Sequence, residues 1–119
     1  MNSRVVDPVE LYLSEVAKVP PLSKEEENTL FEQLRRGDDP DASAERKLVE
    51  SRLSLVVDVA KQYSSSGMPL LELLEEGNLG LMKAVRTFGA NPGGDFTAQA
   101  YALIEAAIHQ AVAEWKRSC

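Results

Sequence analysis

The sequence predicts an all-α protein, a compact bundle of about five helices. Three observations carry that expectation. Apolar residues recur at 3.6-residue spacing along most of the chain. Period-2 alternation, the mark of a half-buried strand, is nearly absent. Proline, glycine, serine and aspartate fall between the periodic stretches, where helices begin and end.

The first helix opens at Asp7-Pro8, because Asp caps and Pro fits the first helical position. Val9, Tyr12, Leu13 and Val16 form its apolar face, and Pro20-Pro21 ends it. The second opens at Ser23, which with Glu26 matches a capping box; Glu25, Glu26 and Glu27 suit the positive end of the helix dipole. Leu30, Phe31 and Leu34 carry its apolar face, and Gly37 stops it. Asp38-Asp39-Pro40-Asp41 is a turn that also caps the next helix. This third, long helix is expected over Ala42 to Tyr63, with Leu48, Leu55, Val56, Val59 and Tyr63 at helical spacing. Ser64-Ser65-Ser66-Gly67 breaks it, and Pro69 starts an apolar fourth helix over Leu70 to Phe88. After a loop over Gly89 to Gly94, the last helix runs from Thr97 to Lys116. Its buried stripe is Phe96, Ala100, Leu103, Ile104, Ala107, Ile108, Ala111 and Trp115.

Size and composition exclude several function classes. At 119 residues, 44% hydrophobic and 27% charged, the chain reads as soluble and globular, too small for a separate cofactor domain. A single Cys, Cys119, and a single His, His109, leave no internal disulfide and no Cys/His metal cluster. Met1-Asn2-Ser3-Arg4 has no apolar run behind it, and Ala98 to Ala113 is too short and polar to span a bilayer. The cytoplasm is therefore the default location, with no membrane contact expected. The net charge of −6 argues against a general nucleic-acid binder.

No catalytic constellation stands out, so no enzymatic activity and no cofactor are expected. Glu75-Glu76 are adjacent and project in different directions on a helix, which suits a solvated face better than a shared acid–base site. Cys119 has no local activating pattern and reads as a spectator thiol. Gly77-Asn78-Leu79-Gly80 lacks the preceding strand and the Lys-Ser/Thr ending of a phosphate loop. Two glycines inside a helical pattern cost about 1 kcal/mol each relative to Ala, and point to a kink or a close helix–helix approach. Packing and a shaped surface for another helix remain equal readings.

The segment Pro69 to Val85, with Glu76-Gly77-Asn78 and Gly80-Leu81-Met82-Lys83-Ala84-Val85 intact, closely resembles the core-polymerase-binding segment of the bacterial sigma-70 family. Asp7-Pro8-Val9, Leu11-Tyr12-Leu13 and the run Pro20 to Glu27 resemble the stretch (region 1.2) before that family's main helical domain (region 2). Leu48-Val49-Glu50 and Leu53 to Tyr63 resemble the domain's first helix. The resemblance implies two parts of one structural unit, residues 1–40 and 41–119. It also implies docking on a coiled coil of the largest RNA polymerase subunit through Glu72, Glu75, Glu76, Asn78 and Met82. A face bearing carboxylates, an amide and a thioether suits a helix pair bearing Arg: charged pairs set register and Met adapts.

The DNA-reading half of the family pattern is altered. The family's basic pair is Asn91-Pro92 here; its first aromatic and Lys are Gly94 and Asp95, and its Tyr is Gln99. Its Trp pair is Ala102-Leu103, and its Arg-Gln is Glu105-Ala106. Stacking on aromatic faces offsets the unstacking of bases by about 1–3 kcal/mol per base. Only Tyr101 remains as a stray aromatic. The family's Asn-Leu-Arg is Arg52-Leu53-Ser54, and the basic residue before its Tyr is Gln62. Residues 1–50 hold 7 basic and 12 acidic side chains, and residues 91–119 hold 2 and 3, so no basic stripe marks the DNA-facing segment. The resemblance thus implies a polymerase-docking module with promoter DNA binding weak or absent, acting as a decoy or modulator of initiation. Two other readings stand: a divergent sigma factor or a fragment of one, and a fold recruited to bind a regulatory protein without polymerase contact.

Overall fold

A computed structural model describes residues 7–118. The readings of Met1 to Arg4 and of Cys119 lie outside that range. Six α-helices and one 3₁₀ turn make up the described residues, with no strand: α1 Pro8–Lys18, α2 Lys24–Arg35, α3 Ser43–Glu50, α4 Leu53–Lys61, α5 Leu70–Ala90 and α6 Phe96–Ser118.

The helix ends obey local chemistry. Asp7 Oδ1 accepts from the Val9 N–H at 3.0 Å, with Pro8 at the first helical position. Ser23 and Glu26 form the reciprocal capping box. Gly37, at φ +71°, closes α2 with the paired bonds Gly37 N–H to Leu34 O and Asp38 N–H to Gln33 O of a Schellman motif. The aspartate turn caps α3 as expected: Asp39 accepts from the Ala44 and Glu45 N–H groups at 2.8 and 3.1 Å, and Asp41 from Ser43 at 3.1 Å.

The expected single helix over Ala42 to Tyr63 is instead two helices, which brings the count to six rather than five. Ala42 stands outside α3 in the left-handed region, at φ +58°. Between α3 and α4, the Ser51 hydroxyl donates to Leu48 O at 2.8 Å and Arg52 leaves helical geometry at φ −121°, ψ 10°. The Arg52 N–H bonds Val49 O, and the Leu55 N–H bonds Arg52 O, so three-residue bonds replace four-residue ones across the break. No glycine or proline announces it. The break points Arg52 inward, where its guanidinium meets Glu27 of α2 at 2.7 Å and lies 5.6 Å above the Phe96 ring.

The core is a hairpin of α5 and α6 covered by α4 on one side and by α2 and α3 on another. Leu48, Val56, Val59, Leu73, Leu81, Val85, Ile104 and Ile108 are fully buried at its centre. All three phenylalanines, Phe31, Phe88 and Phe96, meet with ring centroids 4.7 to 5.3 Å apart in tilted and edge-to-face pairs. α5 runs unbroken through Gly77 and Gly80. A Cβ at Gly77 would lie 2.6 Å from Val56 Cγ1, and one at Gly80 would lie 2.7 Å from the Leu103 carbonyl oxygen. The glycines therefore serve a close approach of α5 to α4 and α6.

A candidate docking face and the altered face of α6

α5 carries the five residues expected to dock a partner, and the hairpin fixes which way each points. Leu73, Leu74, Gly77, Gly80, Leu81, Ala84 and Val85 face the core. The opposite side holds Glu72, Glu75, Leu79 and Lys83 toward solvent, with Glu76 half-buried at its edge. None of the three glutamates forms an ion pair among the described residues. Leu71 and Leu79 are 48% and 59% exposed on the same outer side. The face thus carries three glutamates without ion pairs, one lysine and two exposed leucines. Composition and charge did not single out Leu71 and Leu79, because a leucine at helical spacing reads as core until the neighbouring helices are placed.

Asn78 and Met82 are half-buried on a neighbouring stripe turned toward α1 and α3. Asn78 Nδ2 donates to the Tyr12 hydroxyl at 3.2 Å, a contact across 66 residues that sequence spacing does not reveal. Arg86, one stripe further on, holds Glu45 through two bonds of 3.0 and 3.1 Å and ties α5 to α3. That carboxylate pushes the Arg86 pKa up from its ordinary value.

The seven altered positions at the start of α6 divide into two groups. Gly94, Asp95 and Gln99 build the helix start. Asp95 Oδ1 accepts from the Thr97 N–H at 3.2 Å, the geometry of an N-cap. The Gln99 amide donates back to Gly93 O across the loop and packs beside Gly94. The acid at 95 therefore has a local structural use, and the Gln99 side chain is turned toward its own loop. Ala102 and Ala106 are exposed, Glu105 and Leu103 half-buried. None of these four offers an aromatic face or a cation.

Burial first, then Glu105 and the Tyr101 hydroxyl, push the Tyr63 phenol above its ordinary value. Tyr101 is exposed, with its hydroxyl 3.5 Å from the Gln62 amide. His109 is exposed and edge-on to Tyr63, ring centroids 6.4 Å apart. Arg52, the one cation that replaces a family amide, is committed to Glu27 inside the fold.

Family models match along most of the chain: sigma-70 region 2 over residues 48–117, and sigma-70 factor region 1.2 over residues 7–39. The chain belongs to the sigma-70 family. It is similar to the RNA polymerase sigma factor SigA of Clostridium acetobutylicum, at 46% identity over 94% of this chain and 29% of that protein. It is also similar to RNA polymerase sigma factor SigA of Lactococcus lactis subsp. cremoris, at 42% identity over 98% of this chain and 32% of the relative. The chain spans less than a third of the length of these relatives. Within the sigma-70 region 2 match, α5 and α6 lie side by side as one hairpin. No described helix is long and apolar enough to cross a membrane.

Proposed function

We propose that this chain acts in transcription initiation by docking on core RNA polymerase through the outer face of α5, without opening promoter DNA. The observation that supports it is the outer face of Glu72, Glu75 and Glu76, none of them in an ion pair among the described residues, flanked by exposed Leu71 and Leu79. Carboxylates left without internal partners on a rigid, glycine-packed helix are free to pair with a basic partner helix. The leucines contribute apolar contact at the centre of such a patch. The partner surface we assign is a coiled coil of the polymerase's largest subunit.

The other half of the hairpin supports the proposed loss of promoter reading. Base stacking needs π-faces, and phosphate contact needs cations. Ala102, Leu103, Glu105 and Ala106 supply neither, while Asp95 and Gln99 are engaged in starting α6. A chain that holds the polymerase site without melting DNA competes with complete sigma factors, as a decoy or modulator.

Similarity to SigA proteins at 42–46% identity favours a second reading, a sigma factor with divergent promoter contacts. One experiment separates the two: displacement of a labelled full-length sigma factor from core polymerase, run beside binding to single-stranded −10 promoter DNA. The decoy reading expects displacement with no sequence-specific, salt-sensitive DNA binding. Tight, specific DNA binding favours the second reading, and failure to displace removes both in favour of a recruited protein-interaction module.

A further inference from the structure

A cleft of about 440 Å³ opens where α1, α3 and α5 meet. That size falls in the range of roughly 300–1,000 Å³ common to small-molecule sites. Val49 of α3, Leu53 at the start of α4, Met82 of α5 and the Tyr12 ring give it apolar, half-buried walls. Three polar groups in the lining are left without a partner of matching character.

The first is Asn78. Its Oδ1 is buried and accepts no hydrogen bond among the described residues, while Nδ2 donates to the Tyr12 hydroxyl at 3.2 Å. Buried polar atoms without a partner are rare in folded proteins and ask for an explanation. Turning the amide over lets the hydroxyl donate to Oδ1 but strands Nδ2, so one polar atom stays unmet in either orientation. The second is Arg46, exposed, whose guanidinium donates to the neutral Asp41 carbonyl oxygen at 3.2 Å and forms no ion pair among the described residues. The third is Glu50, exposed and likewise without an ion pair. Glu45, the remaining charged group of the lining, is matched by Arg86. Arg46 and Glu50 stand one turn apart on α3, about 6 Å along its axis, so an uncommitted positive and an uncommitted negative charge flank the same mouth.

We propose that this cleft binds a free α-amino acid with an apolar side chain. The ligand carboxylate pairs with the Arg46 guanidinium, whose planar fork suits two oxygens at once. The ligand ammonium donates to the Glu50 carboxylate and to Asn78 Oδ1; with the amide turned over, Asn78 Nδ2 donates to the ligand carboxylate instead. The side chain lies against Val49, Leu53 and Met82 and is removed from water there. Simpler ligands leave part of the site unmet. An amine alone does not answer Arg46, and a carboxylic acid alone does not answer Glu50. An inorganic ion has no use for the apolar walls. Binding of this kind is a property of the chain by itself and does not depend on polymerase docking.

Isothermal titration of the full chain with L-leucine, L-methionine and L-phenylalanine tests the site. At least one of the three is expected to bind saturably at one ligand per chain. Isocaproate and isoamylamine, which are leucine without its ammonium and without its carboxylate, are each expected to bind about tenfold more weakly than L-leucine if leucine is the ligand bound. Arg46→Gln and Glu50→Gln, both at exposed positions, are each expected to weaken amino-acid binding by about tenfold, with melting curves showing that the fold is kept. Glu114→Gln on α6 is the control and is expected to bind as the unaltered chain does. Absence of saturable binding by all three amino acids up to about 10 mM overturns the proposal. So does binding that survives both the Arg46 and the Glu50 substitution, which puts the ligand elsewhere, and so does isocaproate or isoamylamine binding as tightly as L-leucine.

Discussion

Glu27 is the buried charged residue of this fold, 5% exposed among the described residues. A carboxylate there is tolerable only with a partner, which Arg52 supplies at 2.7 Å while Lys24 approaches at 3.9 Å. Arg52→Ala leaves that charge uncompensated and is expected to cost about 3 kcal/mol in urea denaturation. The Glu27→Gln, Arg52→Ala double variant recovers part of the loss, because the orphaned charge is gone. Ala42 holds a left-handed conformation that a side chain disfavours by roughly 1–2 kcal/mol. Ala42→Gly is therefore expected to raise stability by about 0.5–1 kcal/mol, read as a higher melting temperature. Glu26 supplies a pH dependence. The Ser23 backbone N–H first, then its hydroxyl, hold the Glu26 pKa below its ordinary value of 4.5. A depressed carboxyl stabilises the fold above its unfolded-state value, and that share is lost as pH falls through the folded value. Melting temperatures of Glu26→Gln, which cannot titrate, are expected to fall less steeply than those of the unaltered chain below pH 4.5.

At the scale of elements, the α5–α6 hairpin depends on two glycines that helix propensity alone disfavours. Substituting alanine improves propensity by about 1 kcal/mol per site. The new Cβ at Gly80, however, meets the Leu103 backbone at 2.7 Å, which no rotamer change relieves, whereas at Gly77 it meets a valine methyl at 2.6 Å. Both variants are expected to lose stability, by about 1–3 kcal/mol, with Gly80→Ala the worse. Thermal melts of the pair check the order; a gain for Gly80→Ala contradicts the close approach. The α3–α4 break is the same lesson in another form. A stretch with unbroken helical spacing bends at Ser51-Arg52 because a serine hydroxyl takes the Leu48 carbonyl and an arginine finds a buried acid.

Across the whole molecule, the net charge of −6 is distributed unevenly. Part of it lies on the unpaired glutamates of α5, and none of it is offset by a basic stripe on α6. The proposed binding to polymerase through the α5 face is expected to weaken as ionic strength rises, since exposed charges are screened beyond a Debye length of about 8 Å at roughly 0.15 M salt. Raising salt tenfold, from about 0.05 to about 0.5 M, is accordingly expected to lower the association rate more than it raises the dissociation rate, measured by stopped-flow fluorescence. The same titration with single-stranded promoter DNA is expected to show no specific binding at any salt, the outcome for a surface left with Tyr101 as a stray aromatic.

Helix positions other than the α3–α4 break, the capping of α1, α2 and α3 and the apolar stripe of α6 were legible in the chain, because each depends on residues within one or two turns of one another. So were the residue types along α5 and the missing aromatics of α6, since a residue that is absent needs no fold to be read. Tertiary structure alone decided what joins distant segments. Arg52 turns inward to Glu27, Tyr12 holds Asn78, and Leu71 and Leu79 stay outside a core they resemble in composition. Periodicity states that a helix has an apolar side; which neighbour covers it, and which carboxylate or carbonyl is left without a partner, is settled only when the helices pack.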